Sequence, residues 1–104
     1  MPNIAYGRVS EPELVIPSLR AMSERPGGFI STSELIGELF NILRPTGKDA
    51  ETIPRRRDTY FSQKVRNMIS HRDAPGNIIA EGYAEHIDGG MRITEDGMNY
   101  LARQ

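Results

Sequence analysis

Prolines and glycines gather at four places, Pro26-Gly27-Gly28, Pro45 with Gly47, Pro75-Gly76 and Gly89-Gly90, and each cluster ends the element before it. The chain is thereby cut into short segments that cannot merge, and each can be read on its own. In the first, Leu14, Val15, Leu19 and Met22 recur at helical spacing, which predicts a helix over about 12–25. Glu11-Pro12-Glu13 opens it with acids at the positive end of the helix dipole and a proline in the first turn, while Pro17 either bends the helix or marks its true start. Residues 1–10 follow neither period and are expected as an extended arm, with 11–104 as one domain.

Phe29-Ile30-Ser31 is too short for a helix and too apolar for a loop, so it reads as one short strand in need of a partner. Ser31 and Glu34 are spaced as a capping box, and Leu35, Ile36, Leu39, Phe40 and Leu43 then form the apolar stripe of a second helix that must stop before Pro45. A long polar connection, 44–57, follows. Asp58 or Thr59 can cap a third helix from Tyr60 to about His71, with Phe61, Val65, Met68 and Ile69 on its inner face. Beyond Pro75-Gly76, Asn77 to Ala84 and Met91 to Thr94 read as two strands joined through Asp88-Gly89-Gly90, a strong hairpin signal. Thr94 can cap a last short helix, 95–103, whose inner face carries Met98 and Leu101.

Charge is where composition matters. The whole chain nets −1, yet from Arg55 to Arg72 six cations (Arg55, Arg56, Arg57, Lys64, Arg66, Arg72) face the single acid Asp58, so those 18 residues net +5 and the remainder nets −6. A basic block in an acidic body is the footprint of a domain that turns one face to an anion. At 100° per residue the outer face of the third helix carries Thr59, Gln63, Arg66, Asn67 and Ser70, with Lys64 and His71 on one flank and no carboxylate among them.

The order helix, strand, helix, connection, helix, hairpin, helix is that of a winged helix, mainly α with a small β-hairpin, in which a two- or three-stranded wing follows a helix-turn-helix core. Pro17-Ser18-Leu19-Arg20-Ala21-Met22, then Phe61 through Val65-Arg66-Asn67, then Gly90-Met91-Arg92-Ile93-Thr94-Glu95-Asp96-Gly97 ending in Tyr100-Leu101, resembles the winged-helix domain at the N-terminus of Mrr-type restriction endonucleases. The resemblance covers most of the chain from about Glu11. It implies binding of double-stranded DNA within a restriction-type system, the third helix as recognition helix, a nuclease domain or subunit as partner, and no chemistry in this domain. Two features depart from that pattern: the arginine-rich connection is long, and the sequence holds no nuclease domain. The expectation is therefore an excised targeting module or a small stand-alone binding protein.

In a major groove, Arg66 can bond guanine bidentately, Asn67 or Gln63 can read adenine, and Thr59 and Ser70 can meet phosphate or base edges. Arg55, Arg56 and Arg57 sit just before a helix N-terminus, where they can clamp phosphates with Lys64 nearby, or else pair with surface acids such as Asp49 and Glu51. His71 can add a phosphate contact, or simply complement the dipole of the helix it ends. The wing is discordant, because Glu81, Glu85 and Asp88 outnumber Arg92 and argue against a minor-groove grip. Tyr83 and Tyr100 are expected in the core with wet hydroxyls.

Catalysis and metal binding find no support in the residue types. The chain has no cysteine and two histidines, His71 and His86, its acids are scattered, and it has neither a glycine-rich phosphate loop with lysine nor a nucleophile elbow. A non-enzymatic protein without cofactor is expected. No stretch nears the roughly 18 apolar residues of a membrane span, and the N-terminus lacks a basic start with an apolar core, so a cytoplasmic location is expected as well. The alternative to DNA binding keeps the fold and makes it a protein-interaction module or transcription regulator, docking through its acidic body or through apolar surface on the first helix. The chain is read as a monomer or a homodimer: palindromic sites favour two-fold symmetry, but no surface stripe demands a dimer.

Overall fold

The structure, a computed structural model, describes residues 10–44 and 59–104. The expected arm, the connection with its possible ion pairs at Asp49 and Glu51, the alternative cap Asp58 and the triplet Arg55 to Arg57 lie outside the described residues.

Chain entry differs from the expected helix over 12–25. Glu11–Leu14 form a 3-10 turn and the α-helix proper, α1, is Val15–Ser23. The start falls just ahead of Pro17, which thereby occupies the first helical turn, where an amide hydrogen would have no intrahelical acceptor to lose. A capping box holds the 3-10 turn: the Ser10 backbone amide and hydroxyl both donate to Glu13 Oε1, at 2.7 and 2.9 Å.

After the turn at Pro26–Gly28, strand β1 (Phe29–Ser31) leads directly into helix α2 (Thr32–Leu43). Ser31 ends the one and caps the other, with its Oγ accepting from the Glu34 amide at 3.1 Å and donating to the Glu34 carboxylate. Helix α3 (Tyr60–Ser70) is capped by Thr59, whose Oγ1 accepts from the Ser62 amide at 3.0 Å. Thr94 caps helix α4 (Glu95–Ala102) in the same way through the Gly97 amide.

The hairpin forms, but later in the chain than expected. Strand β2 is Ala84–Ile87 rather than 77–84, β3 is Gly90–Ile93, and residues 77–83 are a succession of turns. Asn77 is the cause. Its Oδ1 accepts from the amides of Ile79 (2.7 Å) and Ala80 (3.3 Å), while its Nδ2 donates to the Met68 carbonyl at 2.8 Å. This side chain offers the backbone a turn in place of a ladder, and Ile78 drops into the core as a plug. Asp88 and Gly89 make the hairpin tip, where Gly89 takes φ +87°, a value that L side chains disfavour.

The strand awaiting a partner finds one. β1 pairs antiparallel with β3, placing Ile30 opposite Met91, and β2 pairs with β3 on its other edge, so the sheet runs β1-β3-β2. A side chain on Gly90 would overlap the Ile30 carbonyl, so this crossing of β3 and β1 requires glycine. One core lies between the sheet and the helices, built from Leu14, Leu19 and Met22 of the entry, Ile30 and Met91 of the sheet, Leu35 and Leu39 of α2, Phe61, Val65 and Met68 of α3, and Ile78. The architecture is thus α+β, mainly helical with a small three-stranded antiparallel sheet.

Candidate nucleic-acid interface

Helix α3 is fixed by its inner face. Phe61, Val65 and Met68 are fully buried, Ile69 is half-buried, and Phe40 of α2 meets the Phe61 ring edge-on with centroids 5.8 Å apart. That anchorage determines where the polar residues of the helix sit. Gln63, Arg66 and Asn67 are half-buried and Ser70 is exposed, spaced one turn after another along the side away from the core. Gln63 Nε2 donates to Asn67 Oδ1 at 3.0 Å, which joins two of these side chains. Arg66 leans toward α2 and helps line an open groove of about 450 Å³ with Ser33, Ile36, Gly37, Phe40, Asn41, Thr59 and Ser62.

The flank is different. Glu11 and Glu13, which the sequence presents only as acids at a helix start, stand beside α3. Glu11 Oε1 lies 3.0 Å from His71 Nδ1, and Glu11 Oε2 is 3.5 Å from Asn77 Nδ2. The Glu13 carboxyl is held below the usual carboxylate range, first by the Ser10 backbone amide, then by the Ser10 hydroxyl, with the nearby charge of Lys64 adding to both. Lys64 and His71 therefore share their side of the helix with two acids. Nothing local in the sequence signals the Glu11–His71 contact, since 60 residues separate the partners. The Ser10 to Glu13 box has the same spacing as the legible box at Ser31 and Glu34.

Of the residues singled out from sequence, Gln63, Arg66, Asn67 and Ser70 come together on one stripe, while Lys64 and His71 lie on its acid-lined flank. The Thr59 hydroxyl is engaged in the cap at the start of the same helix. Arg55, Arg56 and Arg57 lie outside the described residues. In the hairpin, Arg92 Nη2 and Nε reach Glu85 Oε2 at 3.2 and 3.4 Å across the β2–β3 pair, so its cation is balanced there.

No family model, curated protein or solved structure matches this chain. Among the described residues, no three His, Asp or Glu side chains converge as metal ligands would, and no helix is long and apolar enough to cross a membrane. Tyr83 and Tyr100 stack on one another, centroids 4.2 Å apart and planes 12° apart, and both pack against the core. Each ring therefore has one face covered by the other.

On the first helix, Leu14, Leu19, Ala21 and Met22 are 0 to 2% exposed, whereas Val15 and Ile16 are half-buried. The apolar area of the first four is spent in the core. The exposed large apolar side chains, among the described residues, are Phe40 (39%) and Ile42 (53%) on α2 and, on α4, Met98 (48%), which thus lies outward rather than on the expected inner face.

Proposed function

We propose that this chain is a winged-helix module that binds double-stranded DNA without catalysing a reaction, resembling the N-terminal domains of Mrr-type restriction endonucleases and serving to target a restriction or other DNA-processing system. The observation that carries the reading is the outer stripe of α3. In a chain whose remainder nets −6, this stripe aligns Gln63, Arg66, Asn67 and Ser70 and holds no carboxylate.

An α-helix with its side chains is about 10 to 12 Å across and so fits the major groove, which is about 12 Å wide. Arg66 supplies a fork for guanine or phosphate, and the amides supply paired donors and acceptors. Arg55, Arg56 and Arg57 precede the helix in sequence and supply phosphate anchors. The order α1, β1, α2, α3, β2, β3 and the β1-β3-β2 sheet support the winged-helix assignment. The Arg92–Glu85 pair and the acid Asp88 at the hairpin tip give the wing a minor part in binding, so α3 provides most of the contact.

A second reading, a protein-interaction module, is favoured by one observation, the exposure of Phe40 and Ile42 on α2. Salt separates the two. Binding of a random-sequence duplex through about four phosphates weakens roughly 100-fold between about 50 and 200 mM salt, whereas docking through apolar side chains hardly responds. Steep salt dependence, with loss of affinity in Arg66→Ala combined with Asn67→Ala, supports the DNA reading. Absence of duplex binding at the lower salt refutes it.

A further inference from the structure

We propose that Asn67 reads adenine and that Gln63 is the residue that positions it, so that the preferred site contains an A·T pair at one fixed place. The inference rests on the DNA-binding reading above and assigns different tasks to two residues that the sequence leaves interchangeable.

The geometry is a one-turn relay along α3. Gln63 Nε2 donates to Asn67 Oδ1 at 3.0 Å. An amide oxygen has two lone pairs and an amide nitrogen two hydrogens. After accepting from Gln63, Asn67 keeps a second lone pair on Oδ1 and both donors on Nδ2. An acceptor and a donor side by side match the major-groove edge of adenine, where N6 donates and N7 accepts. Guanine offers two acceptors there, cytosine a donor, and thymine an acceptor beside a methyl group, so none of them satisfies both atoms of the Asn67 amide.

What Gln63 contributes is direction. An isolated asparagine amide can turn over and present its two atoms in the opposite order. With Gln63 donating through Nε2, Asn67 keeps Oδ1 toward the N-terminal turn of α3, because turning over the Asn67 amide alone would bring two donor groups together and the order reverses only if both amides turn over at once. Both side chains are half-buried, and Val65 and Met68, buried beneath the same turns, hold the helix in place. A reading group held in one orientation before binding loses less conformational freedom on reaching the base.

The test selects preferred duplexes from a randomised pool using the full chain, then measures affinity for the selected site and for random sequence. The expected result is one enriched A·T position. Asn67→Ala flattens that position alone, and replacing its adenine by 7-deazaadenine, which lacks the N7 acceptor, weakens the parent about tenfold but leaves Asn67→Ala unaffected. Gln63→Met preserves length and helix-forming tendency while removing the donor. It is expected to reduce several-fold the ratio of affinities for the adenine site and for the same site with 7-deazaadenine, a ratio in which any Gln63 contact common to both duplexes cancels and which a merely structural role would not move.

The 7-deazaadenine arm uses the unaltered protein, so a misfolded variant cannot mimic the result. Duplex binding with no A·T position dependent on Asn67, or with no response to 7-deazaadenine, overturns the inference and leaves the DNA reading standing. Full adenine preference in Gln63→Met overturns the positioning role. Failure to bind any duplex overturns the DNA reading and the inference with it.

Discussion

Two helical glycines, Gly37 in α2 and Gly97 in α4, should respond in opposite directions to the same change. A Cβ built on Gly37 meets nothing within 4 Å, so Gly37→Ala adds only helix-forming tendency, about 1 kcal/mol of stabilisation. A Cβ on Gly97 would overlap the Tyr83 carbonyl oxygen and lie 2.9 Å from its carbon and 2.8 Å from Ile93 Cγ1. That carbonyl cannot retreat easily, because it accepts from the Thr94 amide at 3.0 Å, just where β3 passes into α4. Overpacking of this kind costs about 1 to 3 kcal/mol, and a lost backbone bond adds about 1 more. The helix gain at this first-turn position offsets less than 1 kcal/mol, leaving Gly97→Ala destabilised by about 2 kcal/mol. For a domain of this size the melting temperature should rise by roughly 5 °C in Gly37→Ala and fall by roughly 10 °C in Gly97→Ala. Thermal melts followed by far-ultraviolet circular dichroism, with urea midpoints as a second measure, provide the comparison. A neutral or stabilised Gly97→Ala would refute the close approach of α4 to Tyr83, and a destabilised Gly37→Ala would refute the open environment assigned to α2.

Asn77→Ala removes the donor to the Met68 carbonyl and the acceptor for two amides in a buried place, so urea denaturation should register a loss of about 2 kcal/mol. Arg44 ends α2 in the left-handed region at φ +47°, and Arg44→Gly should therefore raise the urea midpoint by an amount equivalent to about 1 kcal/mol. The fold lowers the Glu13 pKa below its unfolded value, chiefly through the Ser10 amide. Its contribution is thus present above the unfolded pKa and lost as pH falls through the folded one, so the stability difference between the parent and Glu13→Gln should be largest near neutrality and shrink in acid.

Local signals in the sequence translated well into local structure. Ser31 with Glu34, Thr59 and Thr94 each lie within four residues of the groups they cap, and the spacing of Phe61, Val65 and Met68 suffices to orient α3. The errors arose where a side chain or a distant segment decided the outcome. Ile78-Ile79 carries the apolarity of a strand, but Asn77 captures the backbone in turns and moves β2 downstream to Ala84. Apolar residues of the first helix are legible by their period, but only the packed structure sends Leu14 and Leu19 into the core. Part of the candidate site was legible, because Gln63, Arg66, Asn67 and Ser70 share a face through helical period alone. The acids that flank this face were not, since Glu11 meets His71 only through tertiary packing across 60 residues of chain. The bond between Gln63 and Asn67 needs only i, i+4 spacing, but the choice between reader and positioner needs the direction of the donor.

The central claim is that the outer stripe of α3 is the surface on which DNA lies. A titration of the isotopically labelled chain with a duplex at low salt, followed by amide and side-chain NMR shifts, tests it most directly. The account predicts that perturbations concentrate at Gln63, Arg66, Asn67 and Ser70, with the Arg92 side chain and the Tyr83–Tyr100 stack little changed. Perturbations centred instead on Phe40 and Ile42, or an unchanged spectrum at a several-fold excess of duplex, would contradict it.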